Sequence, residues 1–414
     1  MNAEELVMPP VSAVDQLVVS LFRGEHADDL AATYDHLRRV APTHRATVGP
    51  FWALTRHADC VAVLRDRRFG KADARVDEIF GVLGGTTRRE LRTEMLPSLL
   101  FLNPPEHTRV RALVSQAFTP RRVEALRPRI GVLVDQVIAD LAGQNEADLV
   151  AQLATRLPIA VISELIGVPE ADRAELQRLF PENAKSLELA ATPEEVVAAK
   201  RAAMELISYF GALVRERRAR PADDLTTAAI AVREGDDRLS RREIVGMLLL
   251  LFGAGFETTT GMIANGLLCL LTHPDQLSLL RREPARLPNA IEEMLRFETT
   301  TQVSGRVALE PAEIDGRPVA TGDWVICFLG AANRDPAVVE RPHEFDITRT
   351  PNPHLSFSTG AHHCLGAPLA RTELAIVFEK VLAAFPDLAL VEQPRWRPGI
   401  SLRAPESLRV RLRP

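Results

Sequence analysis

The chain has 414 residues, of which 46% are hydrophobic and 25% are charged, and its formal net charge is −5 at pH 7. This composition is typical of a globular enzyme, and the acidic balance argues against nucleic acid as the main partner. The first residues, "MNAEELVMPPVSAVDQLVVSLF", lack the basic start and unbroken apolar core of a signal peptide, so a cytoplasmic protein is expected.

The N-terminal half is predicted to be mostly helical. The stretch "HRATVGPFWALT" predicts two short strands around a turn, and "HADCVAVLRD" predicts an amphipathic helix after them. Residues 69–102 predict a long mobile loop with one broken helix. From residue 104 to about 230, helices follow one another and are expected to break at prolines, Pro181 among them.

The next helix has a clear predicted start and end. Ser240 and Glu243 form an S-x-x-E capping box, and the periodicity continues to Thr272, just before "HPD". A helix over about residues 241–272 spans roughly 48 Å. It is apolar on nearly all sides up to Phe256, so it is expected to be buried. The apolar run ends at Glu257, well short of the roughly 20 residues that cross a membrane, and no membrane association is expected.

Strand-like alternation over residues 304–330 and a last helix, "APLARTELAIVFEKVLAAF", complete the pattern. A helix through the middle of the molecule favours one large core. The expected fold class is therefore mainly α with small β-sheets, as a single domain over residues 1–414.

Four cysteines are present, and none belongs to a CxxC pair. Cys60, Cys269 and Cys327 lie in apolar contexts typical of small buried hydrophobic residues. Cys364 instead lies in the glycine-containing loop "FSTGAHHCLG", residues 357–366, just before the last helix. Free N–H groups and the helix dipole at that position are expected to lower its pKa and to stabilise a thiolate.

Three roles suit such a thiolate. A nucleophile needs a base, and His362 and His363 are near in sequence, although adjacency does not place a ring on the sulfur. Zinc or an iron–sulfur cluster needs further cysteines nearby, and the sequence has none there. Axial ligation of haem iron needs one cysteine only, and this sequence can supply it.

The loop resembles the haem-binding signature of the cytochromes P450, F-x-x-G-x-H-x-C-x-G, through Phe357, Gly360, His362, Cys364 and Gly366. Five other stretches resemble the family's motifs in the family's order. They are "NPPEHTRVR" (103–111), "AGFETT" (254–259), "EEMLR" (292–296), "SGRVAL" (304–309) and "FDITR" (345–349).

The resemblance implies the P450 fold, haem b as cofactor and Cys364 as its axial metal ligand. It also implies that Thr258 orders bound oxygen and a water while Glu257 relays protons, with Ala254 leaving room beside the helix. The residues implied to contact the haem or its propionates are His107, Arg111, Ala254, Arg306, Phe357, His362 and Gly366. A plainer alternative is that Thr258 bonds back to the carbonyl of Ala254 and that Glu257 pairs with a surface arginine.

One further structural role follows from the resemblance. Glu293, Arg296 and Arg349 are expected to form a buried charged cluster around the haem loop, although the first two could be an ordinary surface helix pair.

Two positions depart from the family pattern: Ser358 stands where a glycine is common, and Asn103 replaces an aspartate at a position interpreted as a helix cap.

The implied activity is that of a haem-thiolate monooxygenase, which uses O2, two electrons and two protons and inserts one oxygen atom into a small-molecule substrate. Ferredoxin and ferredoxin reductase are the implied electron donors, with Arg121 and Arg122 as candidate docking residues. The polar stretch 299–302 suggests a sizeable, partly oxygenated substrate such as a polyketide or macrolide. Alternatives are a steroid or terpenoid hydroxylase, a peroxide-using or oxidative-coupling enzyme, and a haem sensor or carrier without turnover.

Overall fold

A computed structural model describes residues 12–47, 49, 51–71, 96–185, 192–233 and 235–413 of the chain. Within these residues the fold is mainly helical. The α-helices are α1 Ala13–Phe22, α2 Leu30–Val40, α3 His57–Arg65, α4 Glu106–Ala117, α5 Pro120–Ala125, α6 Arg127–Leu141, α7 Arg156–Ile166, α8 Arg173–Ala184, α9 Pro193–Ala219, α10 Leu225–Ala231, α11 Arg241–Thr272, α12 Pro274–Arg282, α13 Leu287–Phe297, α14 Leu329–Ala332 and α15 Ala367–Ala384.

The strands are short and form three small sheets among the described residues. They are β1 Thr43–Arg45, β2 Phe51–Leu54, β3 Phe69–Gly70, β4 Glu146–Asp148, β5 Val303–Ala308, β6 Ala312–Ile314, β7 Arg317–Val319, β8 Trp324–Phe328, β9 Ala389–Leu390 and β10 Arg409–Arg411. The largest sheet has the order β1-β2-β8-β5-β3, with β2 parallel to β8 and the other pairs antiparallel.

Helix α11 organises the molecule. Its capping box is formed as predicted: the Ser240 hydroxyl accepts from the Glu243 amide at 3.2 Å, and a Glu243 carboxylate oxygen accepts from the Ser240 amide at 2.7 Å. The helix has the length and composition to cross a membrane, but it runs through the largest core cluster and packs on α7, α9, α13 and α15. Burial against these helices, and not exposure to lipid, accounts for its apolar surface.

The five-stranded sheet is covered by hydrophobic clusters that are separate from the large cluster around α11. The strand β8 is central, and Cys327 on it pairs with Leu54 of β2 on one side and Ser304 of β5 on the other. One small hydrophobic cluster covers the sheet from α1 and α2, and a second covers it from α3. Arg306 therefore projects from a strand that is fixed on both sides.

The local predictions for the two ends of the chain are confirmed. The two N-terminal strands with the helix after them correspond to β1, β2 and α3, and the last predicted helix corresponds to α15. The prediction at Pro181 is wrong, because this residue lies inside α8, near its end, where few backbone bonds remain to be broken. The predicted loop falls mostly on residues 72–95, outside the described residues.

A buried charged cluster holds the segment that leads into the cysteine loop. Arg296 donates two bonds of 2.8 Å to the Glu293 carboxylate, and Arg349 Nε lies 3.2 Å from both of its oxygens. Glu293 and Arg296 are fully buried and Arg349 is 9% exposed. The amide of Asp346 and the side chain of Asn352 also donate to Glu293, so the expected structural cluster is present and the surface-pair alternative is wrong.

Candidate haem site

The cysteine loop is closed by its own backbone. The amide of Cys364 donates to the carbonyl of Phe357 at 2.9 Å, which brings the two ends of the loop together. Ser358 has a φ of 56°, so it adopts the left-handed conformation that a glycine takes without strain. Gly360 has a φ of 76°, and a Cβ there would lie 2.3 Å from the Leu64 carbonyl oxygen. Only glycine suits that contact with α3.

The sulfur of Cys364 lies at the N-terminus of α15. The amides of Gly366 and Ala367 point towards it, as the sequence predicts, and Arg111 and Arg371 lie close enough to lower the pKa of the thiol. Burial nevertheless outweighs these groups and raises the pKa of Cys364 above its usual value. The predicted lowering of this pKa is therefore wrong.

Cys364 is exposed, although burial is the largest influence on its pKa. The other three cysteines are buried and free, as predicted. Cys364 is thus the one cysteine whose sulfur a ligand can reach.

Four of the implied haem contacts, together with Lys71, form what we call the cation cluster: Lys71, His107, Arg111, Arg306 and His362. The rings of His107 and His362 lie 4.2 Å apart between centroids. Burial, helped by the charges of Lys71, Arg306, His107 and Arg111, lowers the pKa of His362 to about 3. The pKa of His107 is lowered by burial and then by Arg111 and Arg306.

The cation cluster contains buried donors without acceptors. The Arg306 side chain is 1% exposed, and one of its terminal nitrogens has no partner among the described residues; the same holds for Nε2 of His107, which is 2% exposed. Arg111, by contrast, donates to the His363 carbonyl at 2.6 Å. Because unpaired buried cations are costly, this arrangement suits a ligand with anionic groups such as two carboxylates.

Lys71 is the residue that the sequence reasoning missed. Burial and then the charge of Arg306 lower its pKa well below the usual value. The side-chain oxygen of Asn103 accepts from the Lys71 amide at 2.8 Å, so it ties β3 to the start of α4. Interpreting Asn103 as a helix cap was therefore wrong, since its side chain serves this neighbouring segment instead. A lysine directly after a short strand is too common a pattern to have identified the role.

On α11, Ala254 is exposed although its neighbours Phe252 and Phe256 are buried, so open space lies against this turn of the helix. The hydroxyl of Thr258 donates to the Ala254 carbonyl at 2.7 Å, which is the back-bond of the plainer alternative. Glu257 is partly buried on the same turn. Phe357 is partly buried, and Gly366 is the residue before α15.

Three of the four residues in the polar stretch 299–302 are buried, and only Thr301 is half-buried. Thr299, Thr300 and Gln302 are each 2–3% exposed. The Gln302 amide donates to the Thr299 carbonyl at 2.6 Å, and its oxygen accepts from the Tyr34 hydroxyl at 3.0 Å. These side chains bond within the protein, so their polarity says nothing about the substrate.

An accessible sulfur at a helix N-terminus, together with buried nitrogens of Arg306 and His107 that lack a partner in the described part of the chain, suits an anionic cofactor that carries a thiolate-ligated metal. Haem is such a cofactor, with one metal and two propionates. Comparison with known proteins agrees with this class. A family model described as Cytochrome P450 matches residues 86–395 of the chain.

Individual relatives match over nearly the whole chain. The protein is 38% identical over 394 residues to 6-deoxyerythronolide B hydroxylase of Saccharopolyspora erythraea, which covers 93% of this chain and 96% of that one. It is 38% identical over 402 residues to mycinamicin IV hydroxylase/epoxidase of Micromonospora griseorubida, with coverages of 94% and 97%. A crystal structure of P450BioI in complex with hexadec-9Z-enoic acid ligated acyl carrier protein superposes with a TM-score of 0.85, at 34% identity and coverages of 94% and 99%.

The chain belongs to the cytochrome P450 family. Members are haem-thiolate enzymes whose iron is held by a cysteine, and the protein is a P450 monooxygenase that acts on a small molecule with O2 and redox partners. Its fold class is that predicted from the sequence.

Proposed function

We propose that Cys364 is the axial ligand of the haem iron and that the cation cluster holds the two propionates. The observation that carries this proposal is the position of the sulfur, accessible at the N-terminus of α15, where the amides of Gly366 and Ala367 favour its anionic form. Buried nitrogens of Arg306 and His107 that have no partner among the described residues supply donors for the propionates. Arg111 adds positive charge around them, Lys71 adds a further nitrogen donor, and His362, whose pKa is lowered to about 3, adds a neutral ring.

When bound, haem supplies the redox chemistry that activates O2. The chain's own part is positioning and proton delivery. The Thr258 hydroxyl donates a hydrogen bond to the Ala254 carbonyl, so its oxygen can accept a hydrogen bond from a water. Glu257, one position earlier, is proposed to pass protons inward to that water. Ala254, whose side chain is small, leaves room beside the helix.

The ligand assignment is tested by the carbon monoxide difference spectrum of the reduced protein. The wild type and a Cys269→Ala control should both give the red-shifted Soret band of thiolate-ligated haem, and Cys364→Ser should lose it. Haem bound equally by the serine variant with an unchanged band overturns the assignment.

The proposed roles on α11 predict a different result. Thr258→Ala should leave the Soret band unchanged but divert electrons from product to hydrogen peroxide. A variant that couples electrons to product as well as the wild type contradicts the role of Thr258. Product formation driven by peroxide alone, at the rate reached with a reductase, would favour the peroxide-using alternative.

We further propose that the substrate is a polyketide or macrolide, which the enzyme hydroxylates or epoxidises. The support is the pair of relatives named for 6-deoxyerythronolide B and mycinamicin IV. Macrolactones should shift the Soret band on binding at lower concentrations than steroids or terpenoids do. Tighter binding of free or carrier-bound fatty acyl chains, the ligand in the P450BioI complex, would replace this proposal.

The electron donor is proposed to be a ferredoxin with its reductase, and the site of action the cytoplasm. Arg121 is exposed on α5, which packs on α15, the helix that follows Cys364. Arg122 lies 3.7 Å from Asp223 and is partly neutralised. Arg121→Glu should therefore slow reduction by an acidic ferredoxin, less so at high salt. Reduction at an unchanged rate at low salt contradicts docking on this face.

A further inference from the structure

A chain of contacts links the outside of α13 to the cysteine loop. Arg371 on α15 donates from Nε and from a terminal nitrogen to the two oxygens of Glu292, at 2.6 and 2.8 Å. The same guanidinium lies over the Phe357 ring, 4.5 Å from its centroid. Phe357 is the residue whose carbonyl accepts from the Cys364 amide. Arg371 is therefore held in one position from two sides, beside the loop that carries the sulfur.

The carboxylate that holds Arg371 is itself fixed. His354 Nε2 lies 3.0 Å from Glu292, and Nδ1 of the same ring accepts from the Ser356 amide at 3.3 Å, which leaves Nε2 as the donor. Arg371 and then His354 hold the pKa of Glu292 at about 2 in spite of its burial. Glu292 is thus an anion at neutral pH, and the pair consists of two full charges.

Arg371 places a fixed positive charge against the cysteine loop. Its guanidinium stacks on Phe357, and the Phe357 carbonyl accepts from the Cys364 amide at 2.9 Å. Reduction of a haem–thiolate centre adds one negative charge to it. A fixed cation beside the sulfur therefore favours the reduced form, and an anion disfavours it.

We propose that Arg371 is a positioning residue that raises the reduction potential of the haem through the charge on Cys364, and that Glu292 sets the size of this effect by pairing with it. This inference rests on the proposed function, because it takes Cys364 as the haem ligand. Bidentate pairing and stacking on Phe357 need a planar guanidinium, so lysine should replace arginine only in part.

The test is a spectroelectrochemical titration of the haem-loaded protein. Arg371→Gln should shift the reduction potential to more negative values, and Glu292→Gln should shift it to more positive values. Arg371→Lys should lie between the wild type and Arg371→Gln. Arg286→Gln is the matched control: Arg286 pairs with Glu283 at 2.6 Å at an exposure of 40%, close to the 41% of Arg371, and its loss should leave the potential unchanged.

The dependence of the reduction potential on ionic strength provides a second test, which needs only the Arg371→Gln variant and the wild type. Because Arg371 is partly exposed, the difference between wild type and Arg371→Gln should shrink as ionic strength rises. This comparison decides the matter even if Glu292→Gln fails to fold. Potentials that do not move, or that move in the same direction in both charge variants, overturn the inference.

Different results would overturn the proposed function and the role of Arg371. A wild-type protein without thiolate-ligated haem overturns the proposed function, and this inference with it. A wild type with normal thiolate ligation, whose Arg371→Gln variant keeps the wild-type potential at low salt, overturns this inference alone.

Discussion

Replacement of Gly360 by alanine should destabilise the protein by about 2–5 kcal/mol. Two terms contribute. A non-glycine residue at the φ of 76° costs about 1–2 kcal/mol. The new Cβ would also lie 2.3 Å from the Leu64 carbonyl oxygen and 3.0 Å from Arg65 Cα, so the backbone of α3 and the cysteine loop must separate, which adds about 1–3 kcal/mol.

Gly316→Ala separates the two terms. Gly316 has a similar φ of 71°, but nothing lies within 4 Å of the position of its Cβ, so only the conformational cost of about 1–2 kcal/mol applies. Urea unfolding of both variants measures the difference, and haem content reports whether the loop still forms. Equal losses of stability in the two variants would refute the reasoning that Gly360 is required by its contact with α3.

Three other substitutions have expected outcomes. Ser358→Gly should raise stability by about 1 kcal/mol, because it relieves the backbone strain at a φ of 56° and removes a buried hydroxyl without a partner among the described residues. A lower free energy of unfolding in urea contradicts this. Glu293→Gln should lower the free energy of unfolding by about 3–5 kcal/mol and reduce haem content, because it leaves two buried arginines uncompensated. Glu344→Gln, in an exposed pair, should change stability by less than about 1 kcal/mol. Burial raises the pKa of Glu373 to about 8, so the folded protein keeps a proton that the unfolded chain releases above pH 4.5. The free energy of unfolding should therefore fall as pH rises from 4.5 to 8. Glu373→Gln should flatten that decline, and an unchanged slope in calorimetry at several pH values would contradict the raised pKa.

Local patterns determined much of the fold. The capping box at Ser240 and the apolar run after it were sufficient to place α11, because a cap and a helical period act within a few residues of each other. The alternation around Trp324 was sufficient for β8 in the same way. The cysteine loop was recognisable because its glycines and its cysteine occupy fixed positions along the chain.

The environment of each site residue was decided by tertiary structure. Cys364 has the expected amides near it, but burial by distant segments reverses the net direction of its pKa shift. Thr300 and Gln302 are polar, as the sequence says, yet their partners come from other parts of the fold. Lys71 joins Arg306 and His362 only because β3, β5 and the loop before α15 meet in space. Local sequence sets backbone geometry over a few residues, whereas desolvation and charge act over distances that the folded chain alone brings together.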